Sequence, residues 1–131
     1  MDQSPLVNER INAGAKFLTE LDKLAPIKVA FWLKKAEARQ WYLYVALEQV
    51  NRDNRSGSYG TLIEAGRQIR DPNFDVFEVK LVGVDEPLTR EVLGIIGPSA
   101  DAVPVRLYDR IIADVSAAEI YIYPMPLAVA N

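Results

Sequence analysis

Two stretches of the chain decide its fold: residues 27–33, which read IKVAFWL, and residues 41–47, which read WYLYVAL. Both are rich in β-branched and aromatic residues, which favour strands, and the polar residues 34–40 lie between them. The two stretches therefore predict an antiparallel β-hairpin. Further strands are predicted over residues 74–82 and 119–123, while residues 103–115 fit either a strand or a helix. We favour strand character there, with a break near Asp109.

Helices are predicted before and between these strands. Ser4 followed by Pro5 is typical of a helix start, and apolar residues then recur at three- and four-residue steps to Leu24. Pro26 prevents continuation of this helix. A second helix is expected after Ser58, and a third opens at residues 85–87, with Gly97 and Pro98 as its stop.

This order of elements predicts an α+β fold. We expect a single mixed, mainly antiparallel sheet of four to five strands, with about three helices packed mainly on one face. The length of 131 residues suits one domain spanning residues 1–131, of which residues 124–131 form an extended tail.

Alternation along the strands separates two faces of the predicted sheet. The face assigned to the core beneath the helices carries mainly aliphatic residues, together with Phe31, Trp41 and Phe77. The opposite face collects five aromatic rings from three strands, where Thr, Lys, Glu and Ser would be ordinary. Each such ring can bury about 150–250 Å² and keep a polar tip free. The five residues are Trp32, Tyr42, Tyr44, Tyr121 and Tyr123.

Three explanations of this aromatic face stay open at the level of sequence. A helix or the C-terminal tail of the chain covers it, another protein binds it, or nucleic-acid bases stack on it. Glu78 and Glu119 fall on the same face and would repel phosphate, which counts against nucleic acid. The leading hypothesis is therefore a non-enzymatic interaction module, which forms a homodimer or binds a partner protein through these rings.

Composition narrows the chemistry further. The chain has no Cys and no His, which excludes disulfides, thiolate nucleophiles, Cys/His zinc sites and every Ser/His or Cys/His catalytic arrangement. The formal net charge of −3 predicts no general attraction to nucleic acid or anionic membranes. We expect no cofactor and no membrane partner. Without a secretory signal or a long apolar run, a cytoplasmic location is the default.

The alternative hypothesis is a binder of small anions or nucleotide-like ligands at residues 52–60. A Gly- and Ser-rich helix start presents free N–H groups and a positive dipole end, and nearby arginines could support an anion there. The same residues also fit an ordinary solvated loop. The candidate residues are Arg52, Arg55, Ser56, Ser58 and Gly60.

A third hypothesis is a carboxylate metal enzyme. Asp109, Asp114 and Glu119 could converge if the last two segments pair, and three carboxylates could hold Mg²⁺. The same acids occupy expected turn positions and strand ends, where plain surface charge explains them equally.

The strand sequences AFWL at residues 30–33, WYLYVA at 41–46 and EIYIY at 119–123 resemble a pattern found in a family of small bacterial proteins without an assigned activity. The resemblance implies a bacterial, intracellular α+β domain and transfers no functional residue. The chain departs from this pattern at Pro124, where such sequences commonly carry a basic residue.

Overall fold

The computed structural model describes residues 8–51, 53–96 and 103–124, and these residues form an α+β fold with one mixed sheet. The predicted fold class is confirmed. Two short 3-10 helices are also present, Arg55–Ser58 and Val76–Glu78. The elements are α1 (Asn8–Leu24), β1 (Ile27–Lys35), β2 (Tyr42–Leu47), α2 (Tyr59–Gly66), β3 (Val79–Val82), α3 (Pro87–Ile96), β4 (Val105–Ile112) and β5 (Val115–Ile122).

The five strands lie in the order β3-β2-β1-β5-β4. β1 pairs with β2 and β5, and β4 pairs with β5, all antiparallel, whereas β2 and β3 are parallel. The predicted hairpin of β1 and β2 is confirmed, and Phe31 lies opposite Tyr44 in it while Trp32 lies opposite Leu43. Consequently β3 and β4 are the two edge strands of the sheet.

One face of the sheet packs against α1 and α2. Phe17, Leu18 and Leu21 of α1 and Leu62 of α2 are almost fully buried, because each recurs on the apolar stripe of its helix. The strand residues in this core include Ala30, Trp32, Trp41, Leu43, Val45, Val79, Leu81 and Tyr123.

The other face packs against α3, so both faces of the sheet are covered. Val92 of α3 is fully buried, and Leu88 and Ile96 pack at its sides. Thr89 donates a hydrogen bond to the carbonyl oxygen of Gly83 at 2.8 Å, which fixes the start of the helix. The strand residues in this second core include Val29, Phe31, Leu33, Tyr44, Ala46, Val82, Ile112, Ala117, Ile120 and Ile122.

The third strand is shorter than predicted, because residues 76–78 form a 3-10 turn. The Asp75 side chain accepts a hydrogen bond from the backbone N–H of Phe77 at 2.9 Å, which stabilises that turn. Phe77, assigned from the sequence to the core face, is instead 85% exposed. Residues 105–112 form one continuous strand, so the strand character predicted there is confirmed. The predicted break near Asp109 is wrong, because that residue adopts a left-handed φ of 53° without interrupting β4.

Several sequence predictions lie outside the described residues. These are the helix start at Ser4 and Pro5, the helix stop after Ile96, and the tail beyond Pro124.

Candidate functional site

The five aromatic rings predicted to share one face lie on two faces. Trp32, Tyr121 and Tyr123 belong to the core beneath α1 and α2, whereas Tyr42 and Tyr44 belong to the core beneath α3. The prediction that all five rings share one face is therefore wrong. The alternation within each strand is right, but the prediction aligns β1 and β2 one residue out of phase, and such a shift exchanges the two faces.

Burial also removes most of these rings from the surface. Trp32 is 1% exposed, Tyr123 is 3% exposed and Tyr44 is 6% exposed, while Tyr42 and Tyr121 are half-buried. A ring that this chain already encloses cannot dock on another molecule without local unfolding.

Trp32 and Tyr123 form a buried hydrogen-bond chain with α1. The Trp32 indole Nε1 donates to the Tyr123 hydroxyl at 2.9 Å, and that hydroxyl donates to the carbonyl oxygen of Ile11 at 2.6 Å. Gly14 of α1 lies against both rings, since a Cβ at this position would overlap the Tyr123 hydroxyl. This arrangement is a structural link between α1, β1 and β5.

Burial raises the pKa of three tyrosines. Desolvation is the main cause at Tyr44, Tyr121 and Tyr123, and it raises the pKa of each phenol above its ordinary value. The nearby Tyr42 further raises the pKa of Tyr44. The positive charge of Arg106, 5.2 Å from the Tyr121 ring, partly offsets the increase in the pKa of Tyr121. These phenols remain protonated and are poorly suited as bases.

The anion-site prediction is covered only in part by the described residues. Arg52 lies outside them, as do the side chains of Arg55 and Ser56. Ser58 is the N-cap of α2 but makes no side-chain capping hydrogen bond, and a Cβ added at Gly60 would meet open space. In the preceding loop, the side chains of Asn51 and Asn54 accept hydrogen bonds from backbone N–H groups of the loop itself. Asn51 accepts from Asp53 and Asn54, and Asn54 accepts from Asn51.

The three carboxylates proposed for a metal do not converge. The last two strands pair as that hypothesis required, but Asp114 lies in their turn, and Glu119 is five extended residue steps further along β5, roughly 16 Å away. Glu119 instead forms an ion pair with Arg106 at 3.5 Å. Within the described ranges, no group of three or more carboxylates could hold a metal ion.

The edge at β3 is closed by the protein's own groups. The Leu81 backbone N–H donates to the Tyr59 hydroxyl of α2 at 3.1 Å, and the Val79 N–H donates to the carbonyl oxygen of Val76. This edge therefore offers few free donors.

The edge at β4, eight residues long, is not covered by any other described part of the chain. Its pairing with β5 uses one side of the strand, and none of its backbone groups bonds elsewhere within the described residues. Alternate residues of an antiparallel strand point their N–H and C=O groups outward, so this edge carries a row of unpaired groups. Tyr108 and Ile111 beside it are 56% and 77% exposed.

Sequence reasoning missed this edge. Its signal was the ambiguous segment at residues 103–115, in which apolar residues fit two periodicities, and strand order cannot be read from that pattern. Recognising an edge requires knowing that β5 returns between β1 and β4.

These features define the class of the molecule: an α+β domain with a five-stranded mixed sheet that is covered on both faces and, as far as the described residues extend, open along β4. Comparison with protein family models, with curated proteins and with solved structures found no match to the chain. Among the residues that the structure covers, every helix is too short or too polar to cross a bilayer.

Proposed function

We propose that the protein is a non-enzymatic interaction module that binds another polypeptide by strand addition along β4. The observation that carries this proposal is the contrast between the two edges of the sheet. Tyr59 and Val76 occupy the outward N–H groups of β3, whereas β4 has no such partner among the described residues. In strand addition, the main chain supplies affinity and flanking side chains supply specificity.

The side chains of β4 suit this role. Tyr108 and Ile111 expose large apolar surfaces beside the edge, and aromatic residues are enriched at the centres of protein interfaces. Leu107 and Ile112, next to them, pack on the core beneath α3 and anchor the strand. A rigid strand whose outward groups are already aligned loses little conformational entropy on binding.

This proposal agrees with the sequence hypothesis that the protein is an interaction module, but it assigns the binding surface to β4 and not to the aromatic rings. The rings of Trp32, Tyr44 and Tyr123 are buried and stabilise the sheet, whereas Tyr108 and Ile111 are exposed and would contact the partner. The lack of Cys and His in the chain, which removes the commonest catalytic groups, is consistent with a non-enzymatic role.

Photo-crosslinking in cells that naturally express the protein tests the proposal. A benzophenone amino acid replaces Ile111 on the open edge or, as a matched control, the more exposed Phe77 at the other end of the sheet. We expect position 111 to give an adduct of discrete mass, identified by mass spectrometry, and position 77 to give none. Tyr108→Lys should reduce that adduct several-fold, because lysines on an edge oppose strand pairing.

Either of two results would overturn the proposal. One is the absence of any adduct from position 111, and the other is an adduct of equal yield from position 77.

A further inference from the structure

We propose that the polypeptide added at β4 is a second copy of this chain, paired antiparallel about a two-fold axis between Asp109 and Arg110. This inference rests on the proposed function, because it names the polypeptide that the edge binds. It is carried by the charges and exposed apolar residues of β4, which are complementary to themselves in this register.

The charges along β4 define the register. Arg106 is already engaged, since it pairs with Glu119 at 3.5 Å and lies over the Tyr121 ring. Asp109 and Arg110 are exposed neighbours on the strand, and neither forms an ion pair within the described part of the chain. With the axis between them, Asp109 of each copy lies opposite Arg110 of the other, and the ion pair occurs twice.

The apolar residues match in the same register. Tyr108 lies opposite Ile111 of the second copy, and both are exposed on the side of the sheet that carries α1 and α2. Leu107 lies opposite Ile112 of the second copy, and both face the α3 side. Directly opposed residues of an antiparallel pair share a face, so each contact joins side chains that are already on the same side.

Two other registers are disfavoured by like charges. An axis through Asp109 places the two Asp109 carboxylates opposite each other, and an axis through Tyr108 places Arg106 opposite Arg110. Like charges directly opposed across strands are destabilising. Asp109, whose backbone is left-handed with a φ of 53°, lies next to the proposed axis. Regular strand pairing would therefore join residues 106–108 of each copy to residues 111–113 of the other.

The same residues should limit indiscriminate pairing at this edge. Charges and local irregularities on an edge strand suppress aggregation by unrelated strands. In the proposed pair, Asp109 and Arg110 of each copy are neutralised by those of the other copy. A strand without matching charges would leave them uncompensated, so the edge favours a second copy over unrelated strands. The product is a closed dimer with a continuous ten-stranded sheet, which has β3 at both ends, where Tyr59 closes the edge.

Charge reversal with mixing tests the register. Asp109→Arg and Arg110→Asp are each examined by sedimentation velocity over a concentration series, alone and as an equimolar mixture. We expect the wild type to form a dimer, and each variant alone to associate at least about tenfold more weakly, because each brings like charges together. The mixture should recover the wild-type association, because the two adjacent arginines of one variant then lie opposite the two adjacent aspartates of the other.

Two further variants keep the test independent of folding. Ile111→Ser leaves the backbone at Asp109 unchanged and should also weaken association, whereas Phe77→Ser, at the far edge of the sheet, should not. Circular dichroism of each variant verifies that the fold is retained.

The inference is overturned if the wild type stays monomeric up to millimolar concentration, if both charge variants dimerise like the wild type, or if the mixture fails to recover association. These outcomes are separable from failure of the proposed function. A monomer whose position 111 still crosslinks to a different polypeptide overturns only the self-pairing, and the absence of any adduct overturns the proposed function as well.

Discussion

At the scale of single residues, Gly14 is the position at which α1 meets the sheet most closely. The Trp32 Nε1 atom would lie 3.2 Å from a Cβ at this position, and the Tyr123 hydroxyl would overlap it. The hydroxyl has little room to move, because it is hydrogen-bonded both to Trp32 and to the backbone of Ile11. A glycine here thus permits a contact that any other residue would disturb.

Gly14→Ala should destabilise the protein by about 1–3 kcal/mol, the usual cost of overpacking a well-filled core. The displaced hydroxyl would also weaken two buried hydrogen bonds. Urea unfolding followed by tryptophan fluorescence measures the change. Gly94→Ala in α3 is the matched control, because a Cβ there meets open space and removes the entropic cost of a helical glycine, up to about 1 kcal/mol in the stabilising direction. Equal effects of the two substitutions would contradict the packing described for Gly14.

At the scale of secondary structure elements, the two edge strands are finished differently. β3 has four residues, and α2 lies alongside it so that Tyr59 reaches the Leu81 N–H while Gly66 lies against Val76. β4 has eight residues and no comparable cover among the described residues. The helix therefore has two roles, since it packs Leu62 into the core and closes one edge.

Tyr59→Phe should open the β3 edge without disturbing the core. Loss of a partly buried hydrogen bond costs about 0.5–1.5 kcal/mol, and the Leu81 amide should exchange with solvent faster than in the wild type. Hydrogen exchange monitored by NMR measures this residue directly. Tyr108→Phe removes an exposed hydroxyl on β4 and should leave both stability and the Leu81 amide unchanged. Slow exchange of Leu81 in the Tyr59 variant would show that another group protects that edge.

The elements show how far sequence reasoning reaches. The hairpin and the three helices follow from local pattern, because propensity, capping and alternation act over a few residues. The pairing of Phe31 with Tyr44 does not, since it depends on a β1–β2 connection whose length alone leaves the register open. Phe77 was misplaced for a similar reason, because the Asp75 side chain draws its N–H into a turn that a strand pattern does not reveal.

At the scale of the whole molecule, the sheet is enclosed by helices on both faces. The sequence favoured one covered face, and the aromatic residues of the other then suggested a docking surface. With α1 and α2 on one side and α3 on the other, those rings become core, and the accessible part of the sheet is reduced to its edges. The candidate site could not be predicted locally, because an edge is a property of strand order.

Enclosure of the tyrosines should also make the stability of the whole molecule fall in alkaline solution. Burial raises the pKa of Tyr123 well above its ordinary value of about 10, so the native chain keeps a phenolic proton that the unfolded chain loses. Above pH 10 the native state binds more protons than the unfolded state, and the free energy of unfolding must then decrease as pH rises. For this one group the slope approaches about 1.4 kcal/mol per pH unit.

Tyr123→Phe isolates that contribution. Near neutral pH the variant should be less stable by about 1–3 kcal/mol, because Trp32 Nε1 and the Ile11 carbonyl lose their buried partner. Above pH 10 the wild type should lose stability more steeply than the variant, so the difference between them should shrink as pH rises. Denaturant unfolding at a series of pH values measures both slopes, and Tyr108→Phe, at an exposed ring, should follow the wild type. Parallel slopes for wild type and Tyr123→Phe would mean that the Tyr123 hydroxyl titrates alike in folded and unfolded chains, which its enclosure against α1 does not allow.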